Sequence, residues 1–486
     1  MSHYHITNRN GLNSKFNPNA NDDLLAHDID LVLSDYTELS QLVRTHRENQ
    51  APRLDILENY FLGYNVDILQ GERRKDKEKA DHRVTHNFAK YIAQFIVGYM
   101  TGNPITIKHE NEQTQESIQV INKDNDADAI NSDLALNLSI YGRAYEIVYR
   151  NEDGEDRFMP LDPKNTFVIY NYDIDKKALA GVRYFDDVDA EGVQTSFIEV
   201  YTATHMHTYQ IKNGELNATE IHEHFYNDVP VIEYVNNKFK QGDFENVLSL
   251  IDAYDSAESD TANNMTDFND SMLAIVGNVD MDGQDAKDFK EANIVHVKPE
   301  MNANGAEGRA DVKYIYKQYD VNGSEAYKSR LQNDIHKFTN TPDMTDQNFS
   351  GTQSGESMKY KLFGLEQVRS TKERLFRKGL MKRYKLLFNN LNIVGTKLHD
   401  YKELDIRFTP NLPKSMKDNV DVVNQLSGIV SERTRLGLLD FIEDPDVELE
   451  RIQEEEADMR EKFDEQEYSA IFTKGEEQDD TKDKEV

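Results

Sequence analysis

The sequence has no cysteine and no long apolar run. Without cysteine the chain can form no disulfide framework, use no thiolate nucleophile and build no cysteine-based zinc site. Its longest strongly apolar stretch is Phe95–Met100, which is much too short to span a bilayer. The N-terminus lacks the apolar region of a secretory signal. These absences predict a soluble, intracellular protein whose 486 residues are enough for roughly two to four domains.

Motifs of the common catalytic sites are missing as well. The sequence contains no P-loop, no G-x-G-x-x-G and no G-x-S-x-G. Two histidine pairs, His205 with His207 and His222 with His224, fall on or near predicted strands, where residues i and i+2 share a face and can bind a transition metal. Neither pair has an obvious third ligand. Ordinary histidines on a half-exposed sheet face are therefore the simpler interpretation, although a metal-dependent hydrolase stays open as an alternative.

Two carboxylate pairs repeat at helical spacing. Asp252 with Asp255, and Asp267 with Asp270, sit three residues apart and could in principle act in acid/base chemistry or bind Mg²⁺. Their helix is so acidic that a solvated, mutually repulsive face is the simpler interpretation. The sequence thus predicts no enzyme activity, no cofactor and no metal.

Negative charge exceeds positive charge over the chain, and this balance reverses in one stretch. The formal net charge is −33, which should repel DNA from most of the surface. Residues 355–385 nevertheless hold ten Lys/Arg against three Glu, which indicates a place for a polyanion or an acidic partner. DNA and an acidic protein segment, such as Glu443–Glu485, fit equally well. The candidate contacts are Lys359, Lys361, Arg369, Lys372, Arg374, Arg377 and Lys378.

Periodicity predicts an α+β region over residues 26–240. Asp153-Gly154 is a hairpin signal that follows the first predicted strand. Predicted helices are Ile29–Leu42, Leu54–Leu62, Phe88–Met100 and Asp133–Tyr141. Predicted strands are Ala144–Arg150, Phe167–Asn171, Ala180–Phe185, Phe197–Thr202, His207–Ile211 and Val231–Val235.

The centre of the chain reads as two helices around a small α/β insert, Leu273–Asp320. The first helix, Asp243–Ser271, has eight Asp/Glu and no Lys/Arg, so it is expected to pack in a bundle or ring rather than stand alone. The second helix is Ser324–Thr339. A polar loop, Thr341–Ser354, then leads into the basic helix, and loops of this length are usually functional or disordered. Strands are predicted in the insert near Ile294–Lys298 and Val312–Tyr319.

The C-terminal part begins with a predicted strand within Thr396–Arg407. Ser415 and Asp418 form a capping box that opens a helix reaching about Gly428. Two further helices are predicted, at Ser431–Phe441 and Val447–Tyr468. The last fifteen residues have the acidic composition of a disordered tail.

With this order of parts, the chain resembles the portal proteins of tailed bacteriophages, in particular those of siphophages that infect Gram-positive hosts. The similarity runs from about Leu54 to about Tyr468. Its most specific stretch is Asn340–Leu380, which contains FSGTQSGESMKYKLFGLEQ and TKERLF. Supporting matches are NFAKYIAQFIVGYMTGNPI, IYGRAYEIVY and VSERTRLGLLDFIEDPDVELERI. In this family a serine-glycine step opens a long kinked helix after a tunnel loop, and here the step maps onto Ser354 and Gly355. Glu356 departs from the small or apolar residue that is common next.

The resemblance implies a mainly helical, elongated α+β subunit that assembles into a ring, usually a dodecamer, around a central DNA channel. Its implied parts are a flexible N-terminus (1–25), a wing (26–240), a stem helix (241–272), a clip (273–320), a second stem helix (321–340), a tunnel loop (341–354), a long basic helix from wing to crown (355–395), a helical crown (396–468) and an acidic tail (469–486).

It also implies where ligands would bind. The DNA-facing tunnel-loop residues would be Asp346, Gln347, Asn348, Phe349, Ser350 and Thr352. The channel face of the stem would carry Lys328, Arg330 and Lys337. The docking surface of the clip would carry Lys298, Lys313 and Lys317.

The implied function is structural. A ring at one capsid vertex would pass double-stranded DNA in packaging and ejection. It would dock the large terminase subunit, then a head-completion or adaptor protein, and would contact scaffolding and major capsid proteins, without a membrane. The implied location is the virion, after assembly in the host cytoplasm. The competing interpretation is another capsid-associated adaptor without a channel.

Overall fold

The structure is a computed structural model of the chain. It describes residues 16, 20–34, 36–71, 80–188, 192, 194–212, 215–267, 272–277, 310–315, 320–344, 360–394, 399–411, 416–439, 442, 445–455 and 457.

Helices and strands both contribute substantially, as the α+β prediction requires. The helices are α1 (Ile29–Ser34), α2 (Tyr36–Thr45), α3 (Ala51–Leu62), α4 (Val66–Leu69), α5 (Phe88–Thr101), α6 (Glu112–Asp124), α7 (Ala127–Tyr141), α8 (Leu248–Asp267), α9 (Val321–Thr339), α10 (Phe363–Val394), α11 (Met416–Gln425) and α12 (Glu432–Leu436). The strands are β1 (Leu24–Leu25), β2 (Thr106–Lys108), β3 (Arg143–Arg150), β4 (Asp156–Leu161), β5 (Thr166–Tyr170), β6 (Ala178–Val188), β7 (Gln194–Tyr201), β8 (His205–Lys212), β9 (Glu215–Glu223), β10 (Val231–Val235), β11 (Met272–Gly277), β12 (Ala310–Ile315) and β13 (Asp405–Arg407). A π-helical turn, His46–Gln50, joins α2 to α3.

The chain divides into two compact units, one formed by residues 1–347 and 361–411, the other by residues 348–360 and 412–486. The second unit contains α11, α12 and a helical stretch over 445–455. The Ser431 side chain caps α12 by accepting a hydrogen bond from the Thr434 amide. An ion pair of 2.6 Å between Arg433 and Asp446 then joins α12 to the helical stretch.

A six-stranded sheet in the first unit has the order β1-β5-β6-β7-β8-β9. Strand β1 pairs with β5 in parallel, and the other neighbours are antiparallel. One face of this sheet packs against α1 and α2, where Val32, Leu39 and Val43 are buried with Phe167 and Ile169. Burial of these apolar groups stabilises the sheet by about 25 cal/mol per Å².

A three-stranded sheet, β10-β3-β4, lies under the long helix α10 and shares the main core with α5 and α7. Two glycines allow this packing. Gly142 ends α7 with φ +78°, and a Cβ there would stand 2.2 Å from the Lys240 carbonyl oxygen. At Gly379, in the middle of α10, a Cβ would stand 2.1 Å from the Tyr234 ring. Only glycine therefore lets the backbone approach so closely at these two positions.

Most predicted elements agree with the structure. The strand predicted at Val231–Val235 is β10, and the helix predicted at Phe88–Met100 is α5. Asp153-Gly154 does form the β3–β4 turn, with Gly154 at φ +79°. Prediction missed α6, β4 and β9, and it merged α1 with α2. The strand expected at Ile294–Lys298 and the charge run before α5 lie largely outside the described residues.

Candidate functional site

Helices α8 and α9 pack side by side, and one buried lysine joins them. The Lys328 ammonium lies 3.2 Å from Glu258 and 2.5 Å from Glu325. Burial by itself would lower the pKa of Lys328, but hydrogen bonds to the two carboxylates outweigh burial and raise that pKa. The side chain is only 7% exposed. Lys328 therefore neutralises part of the acidic helix α8.

The other two cations predicted on this face lie on the open side of α9. The Arg330 side chain is 82% exposed and lies a loose 3.9 Å from Asp334. Lys337 is also exposed, in the last turn of the helix. These two side chains can reach an anionic ligand without first breaking a buried ion pair.

The first residues of the predicted tunnel loop are anchored on two helices. Thr341 is buried, and the His336 ring nitrogen Nδ1 lies 3.1 Å from its carbonyl oxygen. The Tyr91 hydroxyl of α5 donates a hydrogen bond to the Pro342 carbonyl at 2.8 Å, and the Gln332 amide donates to the Asp343 carboxylate at 3.0 Å. The loop therefore leaves a fixed point. Its candidate residues Asp346, Gln347, Asn348, Phe349, Ser350 and Thr352 lie outside the described residues.

An extended segment, residues 80–87, lies along α8, and we call it the strap. Its alternate amides donate hydrogen bonds to side chains one helical turn apart on α8: His82 to Asn263 at 2.7 Å, Val84 to Ser259 at 3.0 Å, and His86 to Asp255 at 2.9 Å. Two residues of extended chain rise about 6.6 Å, and four residues of helix rise about 6 Å. The two periods match, so a polar helix face can satisfy the backbone donors of the strap.

This contact corrects one expectation from the sequence. Asp252 and Asp255 were expected on a solvated face, but Asp255 is fully buried. Its carboxylate also accepts from the Asn65 amide at 3.0 Å, and Asp252 accepts from the Tyr60 hydroxyl at 2.5 Å. The expectation is wrong for this pair because neighbouring donors replace the water that would otherwise solvate the carboxylates. The Asp267 side chain and Asp270 lie outside the described residues.

Several cations of the basic helix point inward. Arg369 is buried and bonds the carboxylates of Glu366 and Glu373, both on its own helix. Lys372 is buried and forms an ion pair with Asp243. Unpaired burial of a charge would be costly, so each carboxylate makes the packing possible. These cations serve the interpretation in which the helix neutralises acidic neighbours.

Other cations of α10 remain on the surface. Arg374, Arg377 and Lys378 are exposed, as is Lys361 just before the helix. Arg377 keeps an ion pair of 3.1 Å with Glu373. Lys359 lies outside the described residues, as do Lys298 and Lys317 of the predicted clip, and only the backbone of Lys313 is described, in β12.

Strand register separates His222 from the other histidine pair. His205 and His207 alternate with Met206 along β8, and Met206 pairs directly with His222 of β9. Directly paired residues share a face of a sheet, so His222 lies on the face opposite His205 and His207. The strand register therefore does not bring His222 together with His205 and His207. Within the described ranges, no three histidine or carboxylate side chains are grouped as metal ligands.

Sequence reasoning missed the residues that hold the strap and the loop entrance. Ser259 and Asn263 stand one turn apart on α8, and this polar spacing could have indicated a buried polar contact. No such signal marked Tyr91, because the sequence predicts that a tyrosine on a largely apolar helix is a core residue. Among the helices that the structure describes, none combines the length and apolar character needed to cross a membrane.

Comparisons with known proteins identify the family of this chain. The model of the family described as "Phage portal protein, SPP1 Gp6-like" matches residues 41–462. The chain belongs to this family, which confirms the resemblance drawn from its motifs.

Two curated relatives carry the same description. The portal protein of Bacillus phage SPP1 is 23% identical over 448 residues, which cover 87% of this chain and 86% of the relative. The portal protein of Clostridium phage phiCD119 is 22% identical over 435 residues, which cover 84% and 94% of the two chains. A solved structure titled "Neck of empty GTA particle computed with C6 symmetry" covers 79% of this chain and 93% of its own, at 12% identity and a TM-score of 0.42.

Proposed function

We propose that this chain is a capsid component that assembles into a ring, usually of twelve copies, through which double-stranded DNA is packaged and ejected. The observation that carries the proposal is the family match across residues 41–462. The ring would occupy one vertex of the virion, after assembly in the host cytoplasm. It would act without enzyme activity of its own, as a docking platform for the large terminase subunit, a head-completion or adaptor protein, and scaffolding and major capsid proteins.

Within this proposal, the loop after Met344 is the DNA contact. A loop that starts from a fixed point can hold its tip against a moving duplex, and Gln347, Asn348, Ser350 and Thr352 offer polar contacts without net positive charge. Tight lysine or arginine contacts with phosphates would slow the duplex. An acidic channel with weak polar contacts lets DNA slide.

Exposed cations take secondary roles in this proposal. Arg330 and Lys337 would present weak charge to the channel, while Lys328 only neutralises its neighbours. Lys361, Arg374, Arg377 and Lys378 remain candidates for DNA or for an acidic protein. Lys298, Lys313 and Lys317 would contribute to docking on the clip.

The experiment that tests the proposal combines microscopy with a packaging assay. End-on electron-microscopy averages of the full chain should show rings with a hole roughly 20–35 Å wide, enough for the DNA duplex given its groove scale. Asp346→Lys combined with Asn348→Lys should leave the rings intact and slow DNA packaging. A small closed oligomer without a pore would contradict the ring, and an unchanged packaging rate would contradict the loop contact.

A further inference from the structure

A groove of about 480 Å³ opens where the 236–243 loop, the end of α9 and the first turns of α10 meet. Amide and hydroxyl side chains line it: Asn236, Asn237, Asn340, Gln367 and Thr371. The Phe363 ring also lines it and is 62% exposed. The groove therefore offers both apolar area and hydrogen-bonding groups to a ligand.

Local backbone geometry builds the floor of this groove. Asn340 ends α9 in the left-handed conformation, with φ 54° and ψ 23°. Its side chain approaches the start of α10 so closely that a Cβ on Gly364 would stand 2.7 Å from the Asn340 oxygen. Glycine at position 364 thus lets α10 begin directly against the end of α9.

The groove is close to neutral, in a chain whose net charge is −33. The only charged residues that line it within the described structure are Asp243 and Lys372, which form an ion pair with each other. Lys238, beside it on the same loop, is exposed. Two further phenyl rings flank the groove in sequence: Phe239 is 70% exposed and Phe338 is 53% exposed. Exposed aromatic side chains next to hydrogen-bonding groups are typical of protein interfaces.

We infer that this groove receives a second copy of this chain and forms part of the contact between neighbouring subunits. Two copies that each carry −33 repel one another over most of their surfaces. Contact is least opposed where the surface is neutral, and the exposed Lys238 attracts an acidic neighbour. The exposed phenyl rings then gain by leaving water. This inference rests on the proposed ring.

The test replaces the phenyl side chain of Phe363, which lines the groove. Phe363→Asp places a carboxylate at the first residue of α10, where a negative charge favours the helix, so the variant should fold. It should raise the protein concentration needed for half assembly at least tenfold, as the loss of an aromatic contact that contributes strongly to an interface typically does. Native mass spectrometry and electron microscopy of the full chain measure assembly, and circular dichroism checks the fold.

The matched control is Ile174→Asp, which introduces the same charge at an exposed turn between β5 and β6. It should assemble like the unaltered chain. If the unaltered chain forms rings and Phe363→Asp forms them equally well, the groove is not a subunit contact, although the proposed function still stands. If the unaltered chain stays monomeric under every condition, the inference and the proposed ring fail together.

Discussion

Arg383 of α10 and Glu146 of β3 form an ion pair whose side chains are both fully buried, 2.6 Å apart. The Tyr234 hydroxyl donates a further hydrogen bond of 2.8 Å to Glu146, and the Arg383 guanidinium lies 4.2 Å from the centre of the Phe158 ring. The basic helix is thus fixed to the sheet by one of the ten cations that residues 355–385 contain.

Arg383→Met should therefore lower the free energy of unfolding by roughly 3–5 kcal/mol, because it leaves the Glu146 carboxylate buried without a charged partner. Urea unfolding followed by circular dichroism measures the change. Arg374→Met, which removes an exposed cation from the same helix, should change it by less than about 0.5 kcal/mol. Equal changes in the free energy of unfolding would show that the buried ion pair stabilises the fold no more than an exposed cation does.

His46 gives the fold a dependence on acid. The ring stacks on Phe167, and its Nδ1 lies 2.9 Å from the Tyr184 hydroxyl. Burial, assisted by the charge of Arg143, lowers the pKa of His46 from 6.5 to about 3. The unfolded chain therefore binds a proton below pH 6.5 that the folded chain does not bind, so this residue stabilises the fold less as the pH falls towards about 3.

We expect His46→Gln, which cannot titrate, to remove this dependence. The difference in unfolding free energy between the unaltered chain and the variant should shrink by about 2 kcal/mol from pH 7 to pH 5. Urea unfolding at both pH values, at one protein concentration, measures it. A difference that stays constant would mean that His46 titrates with the same pKa in the folded and the unfolded chain.

At the scale of elements, the strap shows how backbone amides can satisfy buried polar side chains on an acidic helix. Side chains on one face of α8 take the place of a neighbouring strand and accept hydrogen bonds from alternate strap amides. The Asn87 side chain, at the end of the strap, caps α5. These hydrogen bonds therefore link the position of α8 to α5, and α5 also anchors the loop entrance through Tyr91.

Ser259→Ala and Asn263→Ala should loosen the N-terminal half of the strap, because each removes the acceptor of one strap amide. Hydrogen exchange at the amides of His82 and Val84 should become faster by roughly fivefold or more, as expected for the loss of a hydrogen bond worth about 1 kcal/mol. Asp260→Ala, an exposed position between them on the same helix, serves as the control. Unchanged exchange in the two variants would mean that apolar packing, and not these hydrogen bonds, holds the strap.

At the scale of the whole molecule, charge sets the conditions for assembly. Copies with a net charge of −33 repel each other. The range of this repulsion is the Debye screening length, which shortens as salt is added. That distance falls from about 30 Å at 0.01 M ionic strength to about 8 Å at 0.15 M. Ring yield at fixed protein concentration should therefore rise with salt over this range, as native mass spectrometry or light scattering can follow. A yield that falls with salt would indicate that attractive ion pairs dominate the subunit contact.

The sequence by itself determined the family, the α+β class and the positions of most helices and strands, because hydrophobic period and turn residues such as Asp153-Gly154 act locally. It left undecided which charges are exposed. Only the tertiary structure decided that Lys328, Arg369 and Lys372 are paired inside while Arg330 and Arg374 are on the surface. The local sequence pattern does not indicate which distant carboxylate approaches a cation, because that depends on how the helices pack. The same reason explains why Asp255 is buried against the strap instead of facing water.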